Sequence, residues 1–107
     1  ETVSTSGVEA LQRKRNRVIR SYALERSQGI CEACDGPAPF TTRNGQPYLE
    51  VHHITPVSMG GADHPKNVAA ICPNCHRRTE LSEDGDEFNE VIRGRIAAKE
   101  VAPTHTN

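Results

Sequence analysis

Two C-x2-C pairs constrain this chain more than any other feature. Cys31 and Cys34 form the first pair, and Cys72 and Cys75 form the second. Pairs at this spacing, far apart in a small chain, are typical of a zinc site with four thiolate ligands. Two disulfides are the alternative, but no secretory signal precedes them and a reducing cytoplasm disfavours disulfides. We therefore predict a structural Zn²⁺ on four thiolates, in a cytoplasmic protein.

The size and composition of the chain explain why a metal staple would be needed. It has 107 residues, of which 35% are hydrophobic, and it has no Trp. A core of that size is marginal, and small domains often need a metal or disulfides for stability. No apolar run is long enough to span a bilayer, so no membrane contact is expected. We predict one domain over residues 8–101, a flexible lead-in over 1–7 and a disordered tail over 102–107.

Charge is divided unevenly along the chain. Residues 1–82 carry ten Lys or Arg against eight Asp or Glu, whereas residues 83–107 carry three against six. Such asymmetry is compatible with a polyanionic partner at one end, although a solvated helix face would look the same. The densest cationic stretch consists of Arg13, Lys14, Arg15, Arg17 and Arg20.

Apolar spacing and turn residues predict the secondary structure. A helical pattern runs from Val8 to about Arg26, and Gly29 is a plausible stop signal just beyond it. Asn44-Gly45 predicts a hairpin turn with arms at about 39–43 and 47–54. The remaining predicted elements are a strand at 68–71, a helix over 76–81 and a weakly amphipathic helix over 87–99. Together they predict an α+β domain in which helices flank a small centre held by the zinc site.

Three histidines lie close in sequence to the cysteine pairs. Because four thiolates complete a tetrahedral zinc site, His52, His53 and His76 are free to serve a second site. A histidine pair at the end of a strand, opposite a histidine at the start of a helix, suits one divalent ion with positions open for water and substrate. A regular strand would send His52 and His53 to opposite faces, so a shared site requires the strand to bend there.

The motifs around these residues resemble a known family. The segment L-E-V-H-H-I-T-P at 49–56 is followed by Gly60-Gly61, Asn67 and I-C-P-N-C-H-R-R at 71–78. Together and in this order, they strongly resemble the HNH endonuclease family, and most closely the zinc-stapled HNH domains of McrA-type restriction enzymes. The resemblance covers residues 30–81, about half of the chain. It implies a ββα-metal (His-Me) finger, a hairpin followed by a helix, around one catalytic metal.

The resemblance also implies roles for individual residues. His53 matches the general base that activates water, and His52 matches the adjacent metal ligand. Asn67 matches the Asn that pins the loop and helps to orient the base, and His76 matches the final His on the helix side of the metal. These roles suit imidazole, which can accept a proton from water near neutral pH.

One position departs from the family pattern. Many members carry a second helix histidine four residues after the first, and Glu80 stands there in this chain. Because a spacing of four keeps Glu80 on the helix face of His76, we predict that it is the third metal ligand or a partner of the site. A carboxylate would favour Mg²⁺ or Mn²⁺, with Ni²⁺ as an alternative. The other interpretation is a surface Glu paired with Arg77. Glu50 shares the strand face of His52 and could contact the site, but we expect it to be solvated.

The predicted function is metal-dependent hydrolysis of DNA that leaves 5′-phosphate and 3′-hydroxyl ends. The chain would be the nuclease domain of a restriction enzyme, and dependence on modified DNA is one alternative for that enzyme. Arg77 and Arg78, with the five cations of residues 13–20, are expected to contact DNA phosphates. The alternatives are a non-catalytic zinc-ribbon module that binds nucleic acid or protein, and an HNH nuclease of homing or repair type. Cutting both strands requires a homodimer or two independent events. If the chain is a fragment, a missing domain is expected to recognise the target.

Overall fold

The structure, a computed structural model, describes residues 5–101. The predicted tail over 102–107 and the first four residues of the predicted lead-in lie outside this range. The helices are α1 (Thr5–Ser27), α2 (Pro73–Leu81) and α3 (Gly85–Lys99), and the strands are β1 (Glu50–His53) and β2 (Val68–Ile71).

The two strands form an antiparallel ribbon that leads directly into α2. The register pairs His52 with Ala69 and His53 with Val68, at the end of β1. Residues 54–67 connect the strands and include two single 3₁₀ turns, Val57–Met59 and Pro65–Asn67. Strand, strand and helix therefore follow one another as the family resemblance implies, which confirms the α+β ββα arrangement with flanking helices.

The predicted hairpin around Asn44-Gly45 forms, but it is shorter than predicted and does not include β1. A tight turn does form there, and Gly45 adopts a left-handed φ of 84°. The Thr41–Pro47 bridge and two backbone hydrogen bonds, from Thr42 N–H to the Gln46 carbonyl and from Tyr48 N–H to the Phe40 carbonyl, link its arms. However, neither arm forms a regular strand next to the turn, and β1 pairs with β2 instead. Prolines in the arms explain this, because proline has no N–H to donate to a strand ladder.

All three helices begin earlier in the chain than predicted. α1 already begins at Thr5, so that the last residues of the predicted lead-in are helical. α2 begins at Pro73 rather than near His76, since proline is well accommodated in the first turn of a helix. α3 begins at Gly85, two residues before the predicted start. Within residues 5–101, no helix combines the length and the apolar character needed to cross a membrane.

Only the second half of α1 packs against the body of the protein. Ile19 and Ala23 are buried, but Leu11 and Val18 are 56% and 61% exposed. Between residues 7 and 18, only Asn16 is even half-buried. The apolar pattern that predicts the helix therefore does not mark its buried face, and the basic half of α1 lies open to solvent.

The core centres on β2, whose four residues are completely buried. α1 and α3 both contact this strand, and α3 contributes Ile92 and Ile96, which are also fully buried. One carboxylate lies within the core. Glu32, at 0% exposure, accepts hydrogen bonds from Arg26, Lys99 and the Ala70 amide. Burial alone would raise the pKa of Glu32, but these donors lower it.

Candidate active site

The four cysteines come together in one cluster. Their Sγ atoms all lie within 4.8 Å of one another. Sulfurs around a tetrahedral zinc, with Zn–S bonds of about 2.3 Å, are about 3.8 Å apart, so the cluster is compatible with zinc. Within residues 5–101, it is the one group of three or more His, Cys, Asp or Glu side chains whose ligand atoms converge in this way.

Backbone amides donate hydrogen bonds to the cysteine sulfurs. The Cys31 sulfur accepts hydrogen bonds from the amides of Cys72 at 3.2 Å and Ala33 at 3.4 Å. Burial opposes ionisation of Cys31, but these amides outweigh it and lower the pKa of its thiol. The pKa of the Cys75 thiol is raised, mainly by burial. A cation at the centre of the cluster would favour the thiolate form of all four cysteines.

His53, the last residue of β1, faces the loop that follows the strand. Its Nε2 lies 2.6 Å from Oδ1 of Asp63, and both side chains are mostly buried. An ionised carboxylate can only accept a hydrogen bond, so the neutral imidazole carries its proton on Nε2. The structure therefore leaves Nδ1 of His53 as the unprotonated nitrogen, and no described residue hydrogen-bonds to it.

Asn67 ties that loop to the end of β1. Its Oδ1 accepts a hydrogen bond from the Thr55 amide at 2.8 Å, and its Nδ2 donates to the carbonyls of Thr55 and Ala62. Gly61 lies so close to the same carbonyl that an added Cβ would be 1.8 Å from the Thr55 oxygen. These contacts fix the position of Asp63, the next residue after Ala62, against His53.

The predicted ligands of the catalytic metal are neighbours, but their ligand atoms do not point at one common position. The rings of His52 and His76 are 5.3 Å apart, and Nε2 of His76 lies 3.7 Å from Oε2 of Glu80. Nε2 of His52 lies 2.7 Å from Oδ1 of Asn89 on α3. The pKa of His52 is lowered, mainly by burial, although the hydrogen bond to Asn89 opposes this shift. A metal at this site would therefore take the other nitrogen of His52 or displace Asn89.

Glu50 belongs to the site, and the expectation that it is solvated was wrong. Its two oxygens lie 2.8 Å from Nδ1 of His76 and 2.7 Å from the Tyr48 hydroxyl. The bond from Tyr48 and then that from His76 lower the pKa of Glu50. This carboxylate orients the His76 ring so that Nε2 faces Glu80. The two-residue repeat of a strand, which places Glu50 beside His52, was the signal for it.

Asp63 and Asn89 are the functional candidates that sequence reasoning missed. Asn89 is 37 residues from His52. No local pattern links residues so far apart, because their contact depends on how α3 packs. Asp63 is closer in sequence, but only the folded loop directs its carboxylate at His53.

The predicted DNA-contacting cations occupy different surroundings. On α1, a groove of about 840 Å³ is lined by Arg13, Arg15 and Arg17, but neither Lys14 nor Arg20 lines it.

The two predicted arginines of α2 already have carboxylate partners. Arg77 pairs with Glu80 at 3.1 Å, so Glu80 contacts both this surface cation and His76. Arg78 pairs with Asp84 at 2.5 Å and lies over the Phe88 ring. The side chains of both arginines remain largely exposed, at 73% and 48%.

Comparison with known proteins agrees with this arrangement. Residues 31–80 match the family model described as HNH endonuclease. The type IV methyl-directed restriction enzyme EcoKMcrA of Escherichia coli (strain K12) is 46% identical over 87 residues, which are 79% of this chain and 31% of that enzyme. The solved structure of the type IV phosphorothioation-dependent restriction endonuclease ScoMcrA is 30% identical, with a TM-score of 0.66, over 72% of this chain and 15% of that chain.

The match assigns residues 31–80 of this chain to the HNH endonuclease family. Its similarity to McrA-type restriction enzymes, inferred above from the motifs, is confirmed by both relatives. The chain spans 31% of the length of the Escherichia coli enzyme and 15% of the solved chain, so it corresponds to one part of much longer proteins.

Proposed function

We propose that this chain is the nuclease domain of a cytoplasmic restriction enzyme, and that it hydrolyses DNA phosphodiester bonds with the help of a divalent metal. The observation that carries the proposal is the setting of His53. Its Nε2 is occupied by Asp63, and its Nδ1 has no hydrogen-bond partner among the described residues. Membership of the HNH family and similarity to two type IV restriction endonucleases support the same reading.

In the proposed reaction, Nδ1 of His53 removes a proton from a water molecule as that water attacks phosphorus. A P–O bond forms to the water oxygen, and the bond from phosphorus to the 3′ oxygen breaks. The 3′ oxygen takes a proton from solvent, so the products carry 5′-phosphate and 3′-hydroxyl ends. Asp63 is a positioning residue in this scheme, because it holds His53 in the tautomer whose Nδ1 can accept the proton.

Three side chains, His52, His76 and Glu80, would hold the catalytic metal. Their mixed nitrogen and oxygen donors suit Mg²⁺ or Mn²⁺, with Ni²⁺ as the alternative. When bound, such an ion stabilises the charge that develops on the phosphate and on the departing oxygen. Glu50 orients His76 from behind, as carboxylates commonly do for histidines that bind metals.

The cysteine cluster has a separate, structural role in this proposal. Cys31, Cys34, Cys72 and Cys75 would bind one Zn²⁺ as a closed tetrahedral site with no position left for substrate. The cluster joins the turn after α1 to the start of α2, the helix that carries His76. Zinc would thus hold the histidine site together without taking part in the chemistry.

DNA is the proposed partner of this domain. Phosphate contacts would come from Arg77, Arg78 and arginines of α1, whose forked donors match phosphate oxygens. We further propose that a separate part of the complete protein selects modified DNA, because one relative is named as methyl-directed and the other as phosphorothioation-dependent. A homodimer, or two successive nicks, would cut both strands.

Plasmid cleavage in defined metals tests the proposal. The zinc-loaded protein is incubated with supercoiled plasmid in Mg²⁺, Mn²⁺, Ni²⁺ or no added divalent metal, using unmodified, methylated and phosphorothioated DNA. We expect nicking that requires the metal, and nicks that DNA ligase reseals, since ligation needs 5′-phosphate and 3′-hydroxyl ends. A folded, zinc-bound protein that retains DNA but cuts none of these substrates would favour the non-catalytic zinc module instead.

A further inference from the structure

A surface groove lies between α1 and the loop that follows β1. It has a volume of about 840 Å³. Arg13, Arg15 and Arg17 line it on the helix side, and Gly61 and Asp63 line it on the loop side. The groove therefore has one cationic wall, on α1, and one wall formed by the loop after β1.

This groove borders Asp63, the residue that contacts the proposed general base. Asp63, which lines it, is the residue that contacts Nε2 of His53 at 2.6 Å. A chain molecule lying in the groove would therefore pass beside the residue that we assign to water activation. Two further cavities, one beside Gly29 and Pro47 and one beside His52 and Asn89, lack this combination of several arginines and a partner of His53.

The loop wall is held in place. Asn67 binds the carbonyls of Thr55 and Ala62, and Gly61 packs directly on Thr55. A ligand in the groove thus meets a fixed surface on one side. The opposite wall is α1, whose long arginine side chains can adjust to a flexible partner.

The charges of the groove lining indicate what kind of molecule it binds. Three arginines line the groove against two acids, Glu9 and Asp63, so the charged residues of its lining are net positive. Guanidinium groups bind phosphate oxygens in a bidentate manner. Arg13 and Arg17 are four residues apart, so they lie on the same face of the helix.

We infer that the groove binds the sugar-phosphate backbone of one DNA strand and guides it towards His53, with Arg13 and Arg17 as the principal phosphate contacts. The inference rests on the proposed nuclease function and refines it, because it divides the basic stretch of α1 into two groups. Lys14 and Arg20 lie on the same helix, but outside the groove. Lys14 and Arg20 carry the same total charge as Arg13 and Arg17 but do not line the groove, so they are a matched control for the loss of charge alone.

Salt-dependent DNA binding separates the two groups. The intact chain is titrated with a fluorescent DNA duplex at several NaCl concentrations, with no divalent metal added, so that binding is measured without cleavage. Two double variants are compared, Arg13→Gln with Arg17→Gln, and Lys14→Gln with Arg20→Gln. Glutamine is a good helix former, and both pairs remove two charges from the same helix. Circular dichroism and zinc content verify that each variant is folded.

We expect the groove variant to lower the slope of log Kd against log salt by about 1.8, since each lost phosphate contact on duplex DNA removes about 0.9. The control variant should change the slope far less. Conversely, Glu9→Gln should tighten binding, because it removes a negative charge that lines the groove. Equal losses in both double variants, or no loss in either, would overturn the inference.

The same variants keep this inference distinct from the nuclease proposal. Cleavage is measured separately, in Mg²⁺ or Mn²⁺. If the groove variant loses DNA binding while the parent protein never cuts, the groove assignment stands and the proposed function fails. If the parent protein cuts DNA and the groove variant binds and cuts like it, the groove assignment fails alone.

Discussion

Replacement of Glu32 by alanine should strongly destabilise the protein. The carboxylate is fully buried and accepts hydrogen bonds from Arg26, Lys99 and the Ala70 amide. It therefore links α1, the segment after it, β2 and α3. Removing one member of a buried ion pair typically costs about 3–5 kcal/mol, because the remaining charge loses its partner.

The contacts that Arg26 and Lys99 would keep in Glu32→Ala determine where in this range the loss of stability falls. Arg26 would keep Glu100 and the carbonyls of Pro65 and Val68. Lys99 is 36% exposed and can turn to water. We therefore expect a loss near the lower limit, about 3 kcal/mol in the free energy of unfolding. At about 4–8 °C per kcal/mol for a domain of this size, Tm should fall by roughly 12–24 °C.

Thermal unfolding followed by circular dichroism, with zinc present in equal amounts, measures this shift. Glu83→Ala is the matched control, because Glu83 is exposed and has no hydrogen bond or ion pair with any described residue. It should change Tm by no more than a few degrees. If Glu32→Ala and Glu83→Ala have similar Tm values, the buried carboxylate does not stabilise the fold as argued.

Three further predictions test the metal cluster, the site electrostatics and the loop. Cys75→Ser should abolish zinc binding, measured by elemental analysis, and unfold the chain, because structural zinc contributes about 10–16 kcal/mol and total stability is usually smaller. Tyr22 and Tyr48, the only tyrosines, both have raised pKa values through bonds to Glu100 and Glu50, so tyrosinate absorbance should appear above pH 10. The stability that these two hydrogen bonds contribute is present below pH 10 and is lost as pH rises through the raised pKa values. Glu50→Gln removes the bond to Tyr48, so the half of the absorbance change that comes from Tyr48 should move back towards pH 10. Finally, Gly61→Ala should slow DNA cleavage at least tenfold, since the new Cβ would meet the Thr55 carbonyl, whereas Gly94→Ala, where a Cβ meets nothing within 4 Å, should cleave normally.

Features encoded by local spacing could be predicted from the sequence. The two cysteine pairs predicted a single cluster, and the structure brings all four sulfurs together. The ordered motifs predicted the family and its strand–strand–helix arrangement, both of which are confirmed. In each case the geometry follows from a few neighbouring residues, so that little depends on the packing of the rest of the chain.

Features that depend on packing could not be predicted. Asn44-Gly45 predicted a turn that does form but not the partner of β1, because a turn signal reports only local backbone shape and β1 finds its partner beyond a 14-residue loop. The apolar positions of α1 suggested a buried face that is largely exposed. The partners of His52 and His53 come from α3 and from a folded loop, and neither contact leaves a pattern in the sequence.

The role of His53 is the central claim, and the rate of DNA cleavage tests it most directly. Cleavage of plasmid DNA under a saturating divalent metal is compared for the parent protein, His53→Ala and His64→Ala. His64 is an exposed histidine of the neighbouring loop, which makes it a matched control. We predict that His53→Ala lowers the rate by about 10²–10⁴-fold, the usual contribution of a general base, and that His64→Ala cleaves at nearly the parent rate. Cleavage by folded His53→Ala at the parent rate would contradict the account.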